Sequence, residues 1–175
     1  MRAPRFFSSA ACAGWTLFEL VIVLVILAIV TYAVVRSLRP AEALALQQAE
    51  RLRDDLRHAQ MSAMNLGRSQ QLKLGAPAAC AGASYYVINC TVAAPDPCTG
   101  APDTPIADPR QPGGVFCVTV QPGLALAGAN LYFDPLGRPK TGTALIAANA
   151  TFTITGGGLA RTAVVTPLTG FVTAQ

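Results

Sequence analysis

Glu19 is a carboxylate at the fifth position of a stretch, beginning at Trp15, that otherwise carries no charge. From Leu20 to Val35, sixteen residues follow without a charged residue, a Gly or a Pro (LVIVLVILAIVTYAVV). Counted from Trp15, the stretch makes a helix about 31 Å long at about 1.5 Å per residue, which matches a hydrocarbon core of about 30 Å. A charge in hydrocarbon costs on the order of 3 kcal/mol by insertion scales, so such a carboxylate reads as functional and needs a partner. Cutting the chain after Gly14 supplies one. Trp15 becomes the N-terminus, and its α-amino group lies four residues before Glu19. A neighbouring subunit shifted by one helical turn then presents its amine to Glu19, and leaving either charge unpaired is expensive. Glu19 is thereby expected to set the register of assembly, as a buried polar group does in a coiled coil.

A short basic leader, Gly14 before an aromatic, Thr16-Leu17-x-Glu19-Leu20 and an unbroken apolar helix resemble the N-terminus of the type IV pilin superfamily, which includes the type II secretion pseudopilins. Trp15 stands where that family usually has Phe. The resemblance implies cleavage after Gly14 by a prepilin peptidase, methylation of the Trp15 amine, and partners among other pilin or pseudopilin subunits and an assembly platform. Two plainer readings fit less well. A secretory signal peptide has an apolar run of about 7–15 residues followed by a small-residue cleavage site; here the run is longer, starts with Glu19 and leads to Tyr32 and Arg36. A simple single-span anchor leaves Glu19 without a purpose.

The 175 residues leave room for one modest domain beyond the span. Without the leader's Arg2 and Arg5, eleven basic residues face nine acidic ones, so the basic pI says little about nucleic acid. Those two arginines instead favour a cytoplasmic N-terminus by the positive-inside rule, with the body across the membrane. Cys12 falls in the leader. Cys80, Cys90, Cys98 and Cys117 remain, an even number in a compartment that permits disulfides, and three pairings are open. A zinc site is disfavoured because no Cys-x-x-Cys occurs and the intervals suit no common template. No metal or cofactor is expected.

Beyond the span, Arg36 and Arg39 suit the membrane surface. Pro40 fits either a kink or the first turn of a new helix. Ala45, Ala49, Leu52, Leu56, Ala59, Ala63 and Leu66 form one apolar stripe, and Gly67 is placed to stop the helix. The two helical stretches are expected to form one long, bent rod. His58, the single histidine, lies among polar helix residues and is expected to be a solvated surface side chain. After Gly67 the period changes. Strands are expected over 69–74, 85–90, 115–120, 130–133, 151–155 and 162–165, with a Pro-rich loop over 91–114 and a turn at Gly156–Gly158. Cysteines 90, 98 and 117 are expected to staple that loop.

Phe133-Asp134-Pro135-Leu136-Gly137-Arg138-Pro139 and Val164–Val172, with its Thr169-Gly170 turn, resemble segments of the GspH/FimT group within the superfamily. The expected fold is α+β and pilin-like. Residues 1–14 are a leader, 15–38 a membrane-spanning and filament-core helix, 39–67 an amphipathic helix, and 68–175 an antiparallel β-sheet head. The expected function is that of a non-enzymatic minor pilin or pseudopilin. It would sit in a bacterial inner membrane with the head periplasmic, then enter a pseudopilus or pilus. The alternative is DNA binding during natural transformation, which some members of the group achieve with a basic C-terminal tail. Here 168–175 holds no Lys or Arg, and only Arg138, Lys140 and Arg161 follow Arg110, a sparse set for neutralising phosphates. An anchored enzyme is disfavoured because no nucleophile–base pair stands out.

Overall fold

The structure is a computed structural model that describes residues 16–37, 40–90, 98 and 100–175. The expected leader, Gly14, Trp15, Arg39, loop residues 91–97 and 99, and the Arg36 side chain lie outside them. The chain divides into two units, 1–39 and 40–175.

In the first unit, α1 spans Leu17–Ser37. The Glu19 backbone N–H donates to Thr16 Oγ1 at 3.3 Å, so Thr16 acts as an N-cap and Glu19 occupies the third helical position. From Leu17 to Val34 the mean hydropathy is 2.8, so the helix is long and apolar enough to cross a membrane. The Thr31 hydroxyl donates to the Leu27 carbonyl at 2.7 Å and is satisfied within the helix.

In the second unit, α2 runs over Pro40–Leu66. Pro40 takes the first helical position, where its missing N–H would have had no partner anyway. Gly67, at φ +60°, stops the helix. The N–H of Arg68 reaches back to the Ala63 carbonyl at 3.2 Å, closing the turn as a Schellman motif. Six residues of the expected stripe, Ala45 to Ala63, are fully buried. Leu66 is the correction: it is 57% exposed, because the chain leaves the helix at the next residue.

The head contains two antiparallel sheets rather than one. The larger has the order β3 (Cys117–Val118), β2 (Tyr85–Asn89), β1 (Gln70–Leu74), β5 (Leu131–Phe133), β6 (Pro139–Thr141), β7 (Ala144–Leu145). The smaller runs β10 (Val172–Ala174), β9 (Leu159–Val165), β8 (Ala150–Gly156), β4 (Ala125–Ala127). One core joins them through α2. Leu52 and Leu56 meet Leu72, Tyr85, Phe116 and Phe133 of the first sheet side and Phe152, Ile154 and Val165 of the second. Each fully buried leucine contributes about 2 kcal/mol, and the alanines between let the helix approach the sheets closely.

The expected strand over 115–120 shortens to two residues. The Cys117 N–H bonds the Val115 carbonyl at 2.8 Å, a three-residue turn that interrupts the extended run. The Pro-rich loop fills the vacated edge. Pro105 bridges Ile88, the Ile106 N–H donates to the Val87 carbonyl at 2.9 Å, and Ala107 bridges Val115. Proline is tolerated there because an edge strand needs no donor on its outer side.

Two disulfides form, Cys80–Cys117 and Cys90–Cys98. The first ties the turn before β2 to β3; the second links the residue after β2 to the loop. Their sequence separations are 37 and 8. A Cys80→Ser/Cys117→Ser chain is expected to lose roughly 2–4 kcal/mol, and the Cys90/Cys98 pair less, because the longer loop closure removes more unfolded-state entropy. Guanidinium unfolding of the detergent-extracted chain, read by near-UV circular dichroism, gives the order. The reverse ranking would contradict the entropic account.

Candidate functional site

The carboxylate that sequence singled out sits at a helix start. Thr16 and Glu19 have the spacing of a capping box, and Glu19 lies in the first turn, where negative charge complements the helix dipole. Its side chain is exposed, as is every described side chain from Thr16 to Val34. Glu19 therefore has a local role in starting α1, and its charge remains open to a partner from another chain. An α1 exposed all round is a helix whose solvent is lipid or other helices.

In the head, one buried charged group joins three elements, and sequence reading passed it over. Asp55 lies on α2 with its side chain only 5% exposed. It accepts a 2.6 Å hydrogen bond from the Tyr85 hydroxyl on β2 and pairs with Arg110 of the Pro-rich loop at 2.9 Å. Arg110 is itself held by Asp108 at 3.2 Å and lies 5.0 Å over the Phe116 ring. Helix, sheet and loop thus meet at one carboxylate. Burial raises the Asp55 pKa, and the Tyr85 hydrogen bond and the Arg110 charge offset that only in part. Burial, followed by the Asp55 charge, also pushes the Tyr85 hydroxyl up, so it remains a donor. Asp54-Asp55 beside an alanine–leucine stripe gave no hint of a tyrosine and an arginine reaching Asp55 from 30 and 55 residues away.

Beside the lock is a cavity of about 430 Å³, lined by Gln47, Arg51, Asp55, His58, Pro109 and Phe116 among others. His58 corrects the expectation of a solvated side chain. It is half-buried and stacked on Phe116, ring centroids 5.7 Å apart at 22°. The loop folds over this face of α2, which no periodicity along the helix could reveal.

The three cations weighed for nucleic acid each face a carboxylate. Arg138 pairs with Asp134 at 2.7 Å, Lys140 with the same oxygen at 3.8 Å, and Arg161 with Glu42 at 3.3 Å. Asp134 also accepts from the backbone N–H groups of Leu136 and Arg138, both at 2.9 Å. Its burial opposes ionisation, but the Arg138 side chain and those backbone donors outweigh it and hold the pKa below the usual carboxylate range. The Asp134–Arg138 segment is thus an internally tied turn between β5 and β6. Arg161 fastens β9 to the first turn of α2. The four body cysteines are consumed in the two disulfides.

The family described as Type II transport protein GspH matches residues 48–169, from within α2 to the turn before β10. That span covers most of the head and excludes α1. No curated protein and no solved structure matches the chain.

Proposed function

The chain belongs to the GspH family of type II transport proteins, with a pseudopilin-like role in type II secretion, and from that membership we propose that it is a non-enzymatic structural subunit assembled into a secretion pseudopilus. A prepilin peptidase cuts after Gly14, and the Trp15 amine is methylated. The chain waits in the inner membrane through α1, with its N-terminus cytoplasmic and its head periplasmic. On assembly, α1 leaves lipid for a bundle of like helices. Apolar burial does not drive that exit, since lipid is as apolar as the neighbouring helices. The amine–Glu19 pair supplies register, and the assembly machinery supplies work.

The observation that carries this reading is the presence on one chain of a capped apolar helix with a carboxylate in its first turn and a head that matches the family. Arg138, Lys140 and Arg161, each with a carboxylate partner in the chain, make no clustered cationic surface of the kind phosphates need. The test is the intact mass and N-terminal sequence of the protein extracted from its native membrane. A chain that begins at Trp15 and carries one added methyl group is expected. A chain still beginning at Met1, in cells with an active prepilin peptidase, would overturn the processing and assembly steps together.

A further inference from the structure

The two segments singled out in the sequence for their resemblance, around Gly137 and around Thr169-Gly170, lie far apart in the chain and meet at one side chain. Gln60 Nε2 donates to the Gly137 carbonyl and to the Thr169 carbonyl, both at 2.8 Å. The approach is close. A Cβ on Gly137 would come within 2.7 Å of Met64 Sδ, and one on Gly170 within 2.7 Å of the Gly137 carbonyl oxygen. Both glycines have positive φ, so the turns need glycine for backbone shape and for space.

What the knot displays is apolar. Met64, Leu136, Leu168 and Phe171 are between 45% and 68% exposed, although each neighbours or belongs to the knot. Leu168 is the most telling. Its φ is +64°, and it is the one non-glycine among the described residues with a positive φ. Glycine would hold that turn with less strain, so a leucine kept in this backbone shape and left 64% exposed points to a use for its side chain. Exposed apolar side chains gathered on two turns that Gln60 ties together mark an interaction site.

The charge around the patch states the partner's chemistry. Arg57 donates to the Val172 carbonyl at 2.9 Å and lies 5.5 Å over the Phe171 ring, with no ion-pair partner among the described residues. Arg138, beside Gly137, is paired with Asp134 through Nε and Nη2 but keeps 41% of its side chain exposed, with further guanidinium N–H groups to offer. The single carboxylate within 56–68, 130–141 and 160–175 is Asp134, which is buried and already engaged. An apolar centre with a cationic rim fits an apolar anchor flanked by carboxylates. We propose that the Gln60-centred patch, with Leu168 as its anchor, is the head surface that docks a neighbouring pilin-like subunit through an apolar side chain flanked by Asp or Glu. The inference rests on the structural-subunit reading and adds the surface and the partner's chemistry. Duplex DNA is the weaker occupant, because phosphates offer nothing to four exposed apolar side chains.

The experiment uses the full chain in its native envelope with the photo-crosslinker p-benzoylphenylalanine placed at position 136 or, as a control, at position 24 in α1. The expected result is an adduct from both positions with another pilin-like subunit. From position 136, the crosslinked peptide carries Asp or Glu within a turn of an apolar residue. In a Leu168→Gly background the adduct from position 136 should fall roughly tenfold, as for loss of an interface anchor. The thermal midpoint of the extracted chain should stay level or rise, since glycine suits the φ. An adduct from 24 combined with none from 136, or with only phospholipid, DNA or carboxylate-free peptides there, overturns this inference and leaves the subunit reading standing. An adduct from 136 that Leu168→Gly does not weaken overturns the anchor. No adduct from either position overturns the subunit reading and this inference with it.

Discussion

Replacing Glu19 by Ala is expected to leave leader cleavage intact and to reduce incorporation into the filament by more than a hundredfold. The magnitude follows from the unpaired amine. Breaking a buried pair by removing one partner costs about 3–5 kcal/mol, and each 1.4 kcal/mol is about tenfold in an equilibrium. In the isolated bilayer the sign reverses, because the substitution removes a charge that costs on the order of 3 kcal/mol there. The variant should therefore accumulate in the membrane rather than disappear. The structure adds a competing account, because Glu19 also occupies the third helical position after the Thr16 cap. Loss of a capping interaction is worth about 1 kcal/mol, too little for the expected block. Glu19→Gln separates the two. Glutamine serves a capping box as well as glutamate does, but cannot pair with an ammonium as an ion. If the register argument holds, Gln behaves like Ala in fractionation of membrane against sheared filament. Normal incorporation of Glu19→Gln would leave Glu19 with a helix-starting role only.

Much of this architecture was legible because it rests on local chemistry. The sixteen-residue apolar run, the alanine–leucine stripe and Gly67 place both helices. The β-branched and aromatic residues of 151–155 and 162–165 find β8 and β9, which pair across the expected glycine turn at Gly157 and Gly158. What escaped depends on contacts between distant residues. The strand over 115–120 was cut by a turn at Val115, and the edge it vacated was taken by Pro105–Ala107, where prolines had argued only against a sheet interior. The short strands β4, β6 and β7 carry no alternation long enough to read. The division into two sheets, both packed on α2, has no local signal in the sequence. His58 was misplaced for the same reason: solvation along a helix face is decided by what folds over it, here Phe116. Leu168 was visible as a residue in a Thr-Gly turn, but its positive φ is a property of the backbone alone.

Asp55 offers the second large effect, and it turns on the difference between a neutral and a missing side chain. Asp55→Ala is expected to destabilise the head by about 3 kcal/mol. The Tyr85 hydroxyl is left buried without its acceptor, at about 1–3 kcal/mol, and the charge-assisted bond to Arg110 is lost. Arg110 adds little to that cost, since its side chain is 41% exposed and can turn to water. Asp55→Asn keeps a carbonyl oxygen for Tyr85 and sheds the charge that burial penalises, so it should cost only about 1 kcal/mol. The pH dependence gives the sharper reading. Because the folded pKa of Asp55 is raised, the native state holds a proton that the unfolded chain has released. Stability from this site therefore falls as pH rises from about 4, the unfolded carboxyl value, through the raised folded value, and is level above it. Asp134 runs the other way. Its lowered pKa gives stability that is present above about 4 and is lost as pH falls through its folded value. The two windows lie on opposite sides of the unfolded carboxyl value. Urea unfolding of the full chain and of Asp55→Asn across this range should give a difference curve that declines above about pH 4 and is flat below it. Parallel curves would mean that Asp55 is ionised in the folded state as readily as in water, and that the Arg110 charge, rather than burial, governs the lock between helix, sheet and loop.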